Sequence, residues 1–113
     1  MALTFAKVSD AVGVQGTIRE TFYDVTFDAS YPTGGEAIAP NEVGLGTIIH
    51  GAEVIGHRLT SGTPTTAYVV LWDYVSGKLQ VFVTGTAADT VLNEVANATN
   101  LATRIFRIRF VGV

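Results

Sequence analysis

The sequence predicts an all-β fold, a single antiparallel β-sandwich with jelly-roll-like connections that occupies residues 1–113 as one domain. The first observation is composition: 15 Thr, 15 Val, 7 Ile and 11 aromatic residues favour pleated, half-buried strands. The second is punctuation, because Gly, Pro, Ser and Asn divide the chain into short runs of such residues. With 48% hydrophobic and 15% charged residues, the chain is expected to fold rather than remain disordered.

Six strands are predicted between the turn residues, and their number rises to eight if the long ones bend. They cover residues 3–8, 17–28, 47–57, 66–75, 79–86 and 103–111. Residues 89–98 fit about two helical turns, with Asp89 as N-cap and an apolar stripe that includes Val95. The sequence leaves the conformation of this segment open.

The clearest local prediction is a hairpin over residues 68–83, with a turn at Val75 and Ser76 and a left-handed Gly77. Its first strand is apolar on both faces. Tyr68, Val70, Trp72 and Tyr74 share one face, and Val69, Leu71 and Val75 share the other. Such a strand is expected to be central in a sheet, or to be covered on its second face by another subunit.

The last strand alternates, with apolar residues expected inward and basic residues outward. Three of the seven basic residues lie here: Arg104, Arg107 and Arg109, of which Arg107 and Arg109 share the outer face. Two interpretations stay open: a solvated face that discourages edge aggregation, or an interface in which arginine binds carboxylates. The predicted core comprises Phe22 or Tyr23, Phe27, Ile49, Val54, Val81, Val83, Phe106, Ile108 and Phe110.

Little in the sequence points to catalysis, and we expect a protein that is not an enzyme and has no cofactor. The chain has no Cys, four Ser and two His, and no pair of groups stands at a catalytic spacing. His50 and His57 lie on opposite faces of one strand unless a bulge intervenes, so no metal site is expected. A net charge of −3 disfavours nucleic acid as a partner, and no apolar run indicates membrane contact.

Two segments carry a resemblance to a known family. In Val25–Leu45, a strand ends in a D-x-S-Y-P-T-G-G-E turn, which an x-P-x-x-x-G-L step follows into the next strand. In Glu94–Val113, an E-V-x-N-x-T-x-L approach precedes an alternating C-terminal strand. Both segments resemble, in the same order, small capsid decoration (cement) proteins of tailed bacteriophages. Residues 30–36 within the first are expected to form turn architecture.

The resemblance implies a virion structural protein that binds the outer surface of an expanded head and stabilises the shell. It implies the major capsid protein as partner, self-association as a homotrimer, and no catalytic residues. The expected contacts with capsid or subunit are Tyr68, Trp72, Tyr74, Arg104, Arg107 and Arg109. The alternatives are another phage virion component, such as a tail or fibre-base protein, or a carbohydrate- or receptor-binding β-module that uses the aromatic stripe for stacking.

Overall fold

The computed structural model describes residues 3–60, 68–84 and 92–113, without the side chains of residues 9–15 and 84. The described residues form eight strands, one short 3-10 turn and no α-helix. The strands are β1 (Thr4–Gln15), β2 (Ile18–Thr26), β3 (Glu36–Ala37), β4 (Ile49–Leu59), β5 (Tyr68–Asp73), β6 (Lys78–Thr84), β7 (Leu92–Glu94) and β8 (Arg104–Gly112). The 3-10 turn, Pro40–Val43, ends at a left-handed Gly44.

Two antiparallel sheets account for all the strands, so the all-β prediction is confirmed at this level. The large sheet has the order β1-β2-β8-β4. In the small sheet β6 is central, with β5 on one side and the short strands β3 and β7 on the other. The edge strands β4 and β5, consecutive in the chain, approach each other where the two sheets meet.

The hydrophobic core consists of residues from both sheets and from the connections between strands. The large sheet supplies Val25, Ile49, Phe106, Ile108 and Phe110, the small sheet Val70, Leu79 and Val81, and the connections Phe27, Tyr31, Val43 and Leu101. Alternation on β8 is as predicted, because Phe106, Ile108 and Phe110 are buried while Arg107 is exposed.

The remaining core predictions divide by degree of burial. Phe27, Ile49 and Val81 are buried as expected, whereas Val54 and Val83 are only partly buried against the core. Of the two adjacent aromatics, Tyr23 is the one that packs against the core, with its ring 6.3 Å from that of Phe110.

The predicted hairpin is confirmed with a slightly longer loop. Asp73 pairs with Lys78, and the Gly77 N–H donates to the Asp73 carbonyl over 2.8 Å. Gly77 has the expected left-handed backbone, with φ +70°. The Asp73 carboxylate accepts bonds from Val75 N–H and from Ser76, which lower its pKa, the Ser76 bond being the main cause. This local network is joined to the rest of the fold by the Ile38 N–H, which donates to the Gly77 carbonyl over 3.1 Å.

Three other predictions need correction. Of the two alternatives for β5, the central position is wrong, because β5 is an edge strand of the described sheet and its Val69 and Leu71 are 39% and 49% exposed. Cover of its second face by another subunit stays a prediction. The helical alternative for 89–98 is wrong where the structure describes it, because Leu92–Glu94 pairs with β6 as a strand. Residues 89–91 lie outside the described residues. The two extra strands, β3 and β7, are short separate segments rather than bends in longer ones.

Candidate functional site

The turn that carries the first motif is built around two left-handed glycines. The Gly35 N–H donates to the Pro32 carbonyl over 3.0 Å, so Pro32 opens the turn. Gly34 and Gly35 have φ of +94° and +102°. A Cβ on Gly35 would lie 2.5 Å from the Leu79 carbonyl oxygen, which only glycine avoids. The expectation that this segment is turn architecture is confirmed.

Glu94 joins this turn to the second motif. Its Oε2 accepts one hydrogen bond from the Tyr31 hydroxyl at 2.7 Å and another from the Gly34 N–H at 2.8 Å. The Tyr31 hydroxyl in turn accepts the Val81 N–H of β6 at 3.0 Å. Tyr31 is 1% exposed, and its burial is the main cause of its raised pKa. We call this contact between residues 28–36 and 94–101 the motif junction.

Backbone bonds complete the motif junction. Tyr31 N–H donates to the Thr99 carbonyl at 2.9 Å, and Ala98 N–H returns a bond to the Tyr31 carbonyl at 2.7 Å. Leu101 N–H donates to the Asp28 carbonyl at 3.0 Å. Thr33 N–H also reaches the side-chain oxygen of Asn97 at 3.2 Å. Two segments about sixty residues apart in the chain therefore form one hydrogen-bonded unit.

Glu36, the last residue of the first motif, lies at the edge of this unit. It is 4% exposed, and burial raises the pKa of its carboxyl, with the charge of Asp28 as the second cause. The Oδ2 atom of Asp28 is itself buried without a hydrogen-bond partner. This corner of the fold therefore opposes the charged form of Glu36.

The two outward arginines of β8 are engaged within the chain. Arg107 binds Asp24 through two bonds, Nε to Oδ1 at 2.7 Å and Nη2 to Oδ2 at 3.0 Å. Arg109 binds Glu20 at 2.7 Å and reaches Glu53 at 3.3 Å. The bond from Arg107 is the main cause of the lowered pKa of Asp24. Arg107 and Arg109, which the sequence predicted to contact the capsid or another subunit, thus already bind carboxylates of the neighbouring strands.

Arg104 and Tyr68 form a separate contact at the other end of β5 from the hairpin loop. Arg104 is 8% exposed, and its guanidinium carbon lies 4.7 Å from the centre of the Tyr68 ring, a cation–π geometry. Its Nη1 is buried and lacks a hydrogen-bond partner. Tyr68 itself is partly buried against the core.

Trp72 and Tyr74 line a groove of about 200 Å³ beside the hairpin loop, and its walls are of mixed polar and apolar character. We define the tip groove by five of its lining residues: Pro40, Ile48, Trp72, Tyr74 and Val75. Tyr74 and Val75 are 77% and 84% exposed, and Ile48 is 46% exposed. Trp72 is partly buried against the core. The predicted aromatic stripe is thus not one exposed platform. Tyr68 and Trp72 are partly buried against the core, and Tyr74 is the exposed ring of the three.

Within residues 3–60, 68–84 and 92–113, no three His, Asp or Glu side chains are placed to hold a metal ion. His50 and His57 are both exposed; one irregularity of β4 falls at His50 itself, and a second, between Val54 and Gly56, separates the two histidines. The same described residues contain no helix that is long and apolar enough to cross a bilayer.

Comparison with known proteins adds no relative: no protein family matches the chain, and no curated protein or solved structure resembles it significantly.

Reasoning from sequence did not anticipate the motif junction or the partners of the arginines. Glu94 gave no signal of its role, because its partners lie 60 and 63 residues away in the chain. A usable signal existed for Arg107 and Arg109, since Glu20 and Asp24 share parity on β2. Pairing β2 with β8 would have placed these opposite charges side by side.

Proposed function

We propose that this chain is a capsid decoration (cement) protein of a tailed bacteriophage, which binds the outer surface of the head and stabilises the shell. The observation that carries the proposal is the motif junction. The two segments that resemble such proteins contact each other through Tyr31, Gly34 and Glu94, all three of which are motif positions. The resemblance therefore concerns residues that act together in one fold.

The pattern positions of the second segment have matching partners in the first. In E-V-x-N-x-T-x-L, Asn97 accepts a bond from Thr33, the Thr99 carbonyl accepts one from Tyr31, and Leu101 N–H donates to Asp28. A chance likeness of composition would not be expected to fall on interacting residues in both segments. The residues named in both patterns therefore belong to one hydrogen-bonded unit.

For the finer architecture we propose a β-sandwich with jelly-roll-like connections. The support is that buried residues of the large and small sheets belong to one core cluster. The adjacent edges of β4 and β5 fit a sandwich corner.

The tip groove is the surface that we propose contacts the shell. Tyr74 and Val75 are the two most exposed large apolar residues among those that the structure describes, and aromatic side chains are favoured in the centres of interfaces. A decoration protein is repeated over a symmetric shell, so a modest apolar contact per copy suffices when copies also contact one another. We propose a homotrimer as that assembly, with the exposed outer face of β5, Val69 and Leu71, as a second apolar contact.

The test is binding to purified, expanded capsids assembled from the major capsid protein of the same virus. Co-sedimentation should show saturable binding, and the double variant Tyr74→Ser with Val75→Ser should lower the affinity about tenfold or more. Leu92→Ser, at a residue 42% exposed and outside the tip groove, is the matched control and should bind normally. Absence of binding by the unaltered protein would refute the decoration role.

The other interpretations predict different outcomes in the same experiment. A tail or fibre-base protein would leave capsids bare and would copurify with tails. A carbohydrate-binding module would leave capsids bare and would give a glycan signal that Tyr74→Ser abolishes. Sedimentation equilibrium should report a trimer, and a monomer at all concentrations would confine trimer formation to the shell surface.

A further inference from the structure

An open cavity of about 310 Å³ lies on the outer face of the large sheet, away from the tip groove. Its lining combines cationic and apolar side chains with one carboxylate. The residues are Asp24, Ile55, Gly56, His57, Arg58, Ile105 and Arg107. Ile55, His57, Arg58 and Arg107 are all exposed, so a partner can reach them without any rearrangement of the core.

A bulge in β4 creates this grouping. Val54 pairs with Ile108, but Gly56 pairs with Arg107, so Ile55 is an extra residue with no partner of its own on β8. The extra residue changes which side chains face outward beyond it. Arg58, opposite Ile105, thereby lies on the same face as Arg107. Gly56 contributes no side chain, which leaves space between the two arginines.

The two arginines differ in their availability. Arg107 uses Nε and Nη2 on Asp24, which leaves its Nη1 unused in the described structure. Arg58 forms no hydrogen bond or ion pair with any described residue, although its charge is close enough to help lower the pKa of Asp24. One guanidinium is therefore held in place by Asp24, and the other offers all of its donors.

We propose that this cavity is a docking site for an acidic peptide segment of a partner protein. A carboxylate of the segment binds Arg58 and the free Nη1 of Arg107, and a neighbouring apolar residue packs on Ile55, which is 51% exposed, and Ile105.

An acidic peptide fits the cavity better than a nucleic acid does. Asp24 lies inside it, Glu20 and Glu53 flank Arg109 on the same face, and the chain carries a net charge of −3. These carboxylates repel any anion, and because the repulsion grows with the number of negative charges, it opposes a continuous phosphate backbone more than one or two carboxylates placed between the arginines. The two isoleucines give a peptide, unlike a phosphate, an apolar contact.

The inference rests on the proposed function only in that the shell would supply such a segment. The binding assay itself needs no capsid. Loss of peptide binding with normal capsid binding would remove this site and leave the decoration role. Peptide binding without capsid binding would keep this site and refute the decoration role.

The probe is a short fluorescent peptide in which two Glu flank one Leu, titrated into the ¹⁵N-labelled full chain. We expect amide shifts confined to residues 55–58 and 105–107. Arg58→Gln should weaken binding about tenfold, while Arg58→Lys should retain part of it. Arg19→Gln, at an exposed arginine that bonds the Gly44 carbonyl outside the cavity, is the matched control and should bind normally.

A second variant should change the peptide affinity in the opposite direction. Asp24→Asn removes the charge that competes for Arg107, so it should strengthen peptide binding severalfold, with folding checked by the amide spectrum. A control peptide carries Gln in place of both Glu residues of the probe. The proposal is overturned if this control peptide binds equally well, if the amide shifts fall outside residues 55–58 and 105–107, or if Asp24→Asn weakens peptide binding in a folded protein. Tighter binding of a single-stranded oligonucleotide, or Arg58-dependent self-association in place of peptide binding, would also overturn it.

Discussion

The motif junction and the outer face of the large sheet use the same chemistry in different surroundings. At the junction, the Glu94 carboxylate accepts one hydrogen bond from the hydroxyl of Tyr31, which is 1% exposed, and one from the Gly34 N–H. On the outer face, Asp24 and Glu20 bind arginines whose side chains are 50% and 35% exposed. Burial makes an unmade bond costly, whereas water and salt replace an exposed ion pair. We infer that the junction maintains the fold and that the outer face is free to serve binding.

The largest loss of stability is expected from a substitution in the motif junction. Tyr31→Ala removes a fully buried ring beside Phe27, whose centre lies 6.4 Å away, and should destabilise the fold by about 3–5 kcal/mol. Denaturant unfolding measures this, with Ile18→Ala at the exposed start of β2 as control. A loss below about 1 kcal/mol would mean that the junction does not maintain the fold.

Tyr31→Phe isolates the hydroxyl from the ring. It leaves Val81 N–H without its acceptor and Glu94 without one of its two donors, at an expected cost of about 1–3 kcal/mol. The same unfolding measurement applies. Equal stability of the two proteins would assign the role of Tyr31 to packing alone.

The outer face should be much less sensitive. Arg107→Ala and Arg109→Ala should each change the free energy of unfolding far less than Tyr31→Phe does, because their ion pairs are exposed and their side chains point away from Phe106, Ile108 and Phe110. The small loss for Arg107→Ala should fade in high salt, and also below the lowered pKa of Asp24, where the carboxyl is protonated. A loss as large as that of Tyr31→Phe would erase the distinction between the two regions.

The smallest effect concerns Glu36 at the edge of the junction. Because burial raises its pKa in the folded state, its contribution to stability is greatest below the unfolded value and falls as pH rises through the folded value. Glu36→Gln should therefore gain stability relative to the parent between acidic and neutral pH. Melting temperatures across that range provide the measurement, and a difference independent of pH would contradict the assignment.

Local features of the fold were predictable from sequence. Alternation identified the buried face of β8, and the Ser76-Gly77 pair identified the hairpin, because each depends on neighbouring residues. The edge position of β5 was not predictable, since a strand apolar on both faces fits a central position as well as an exposed edge.

The site residues were less predictable because they depend on distant pairing. The bulge at Ile55 places Arg58 beside Arg107, and simple parity along β4 cannot anticipate it. Strands as short as β3 and β7 give no periodic signal, although β7 carries Glu94 to its partners. The resemblance was carried by two segments that are distant in the chain, and only the fold shows that they contact each other.

Cryo-electron microscopy of the complete virion tests the decoration role most directly. We predict density on the outer surface of the head that fits two antiparallel sheets, with Tyr74 and Val75 against the shell. A head whose outer surface lacks this density, in virions where the protein is found in the tail or is absent, would contradict the account.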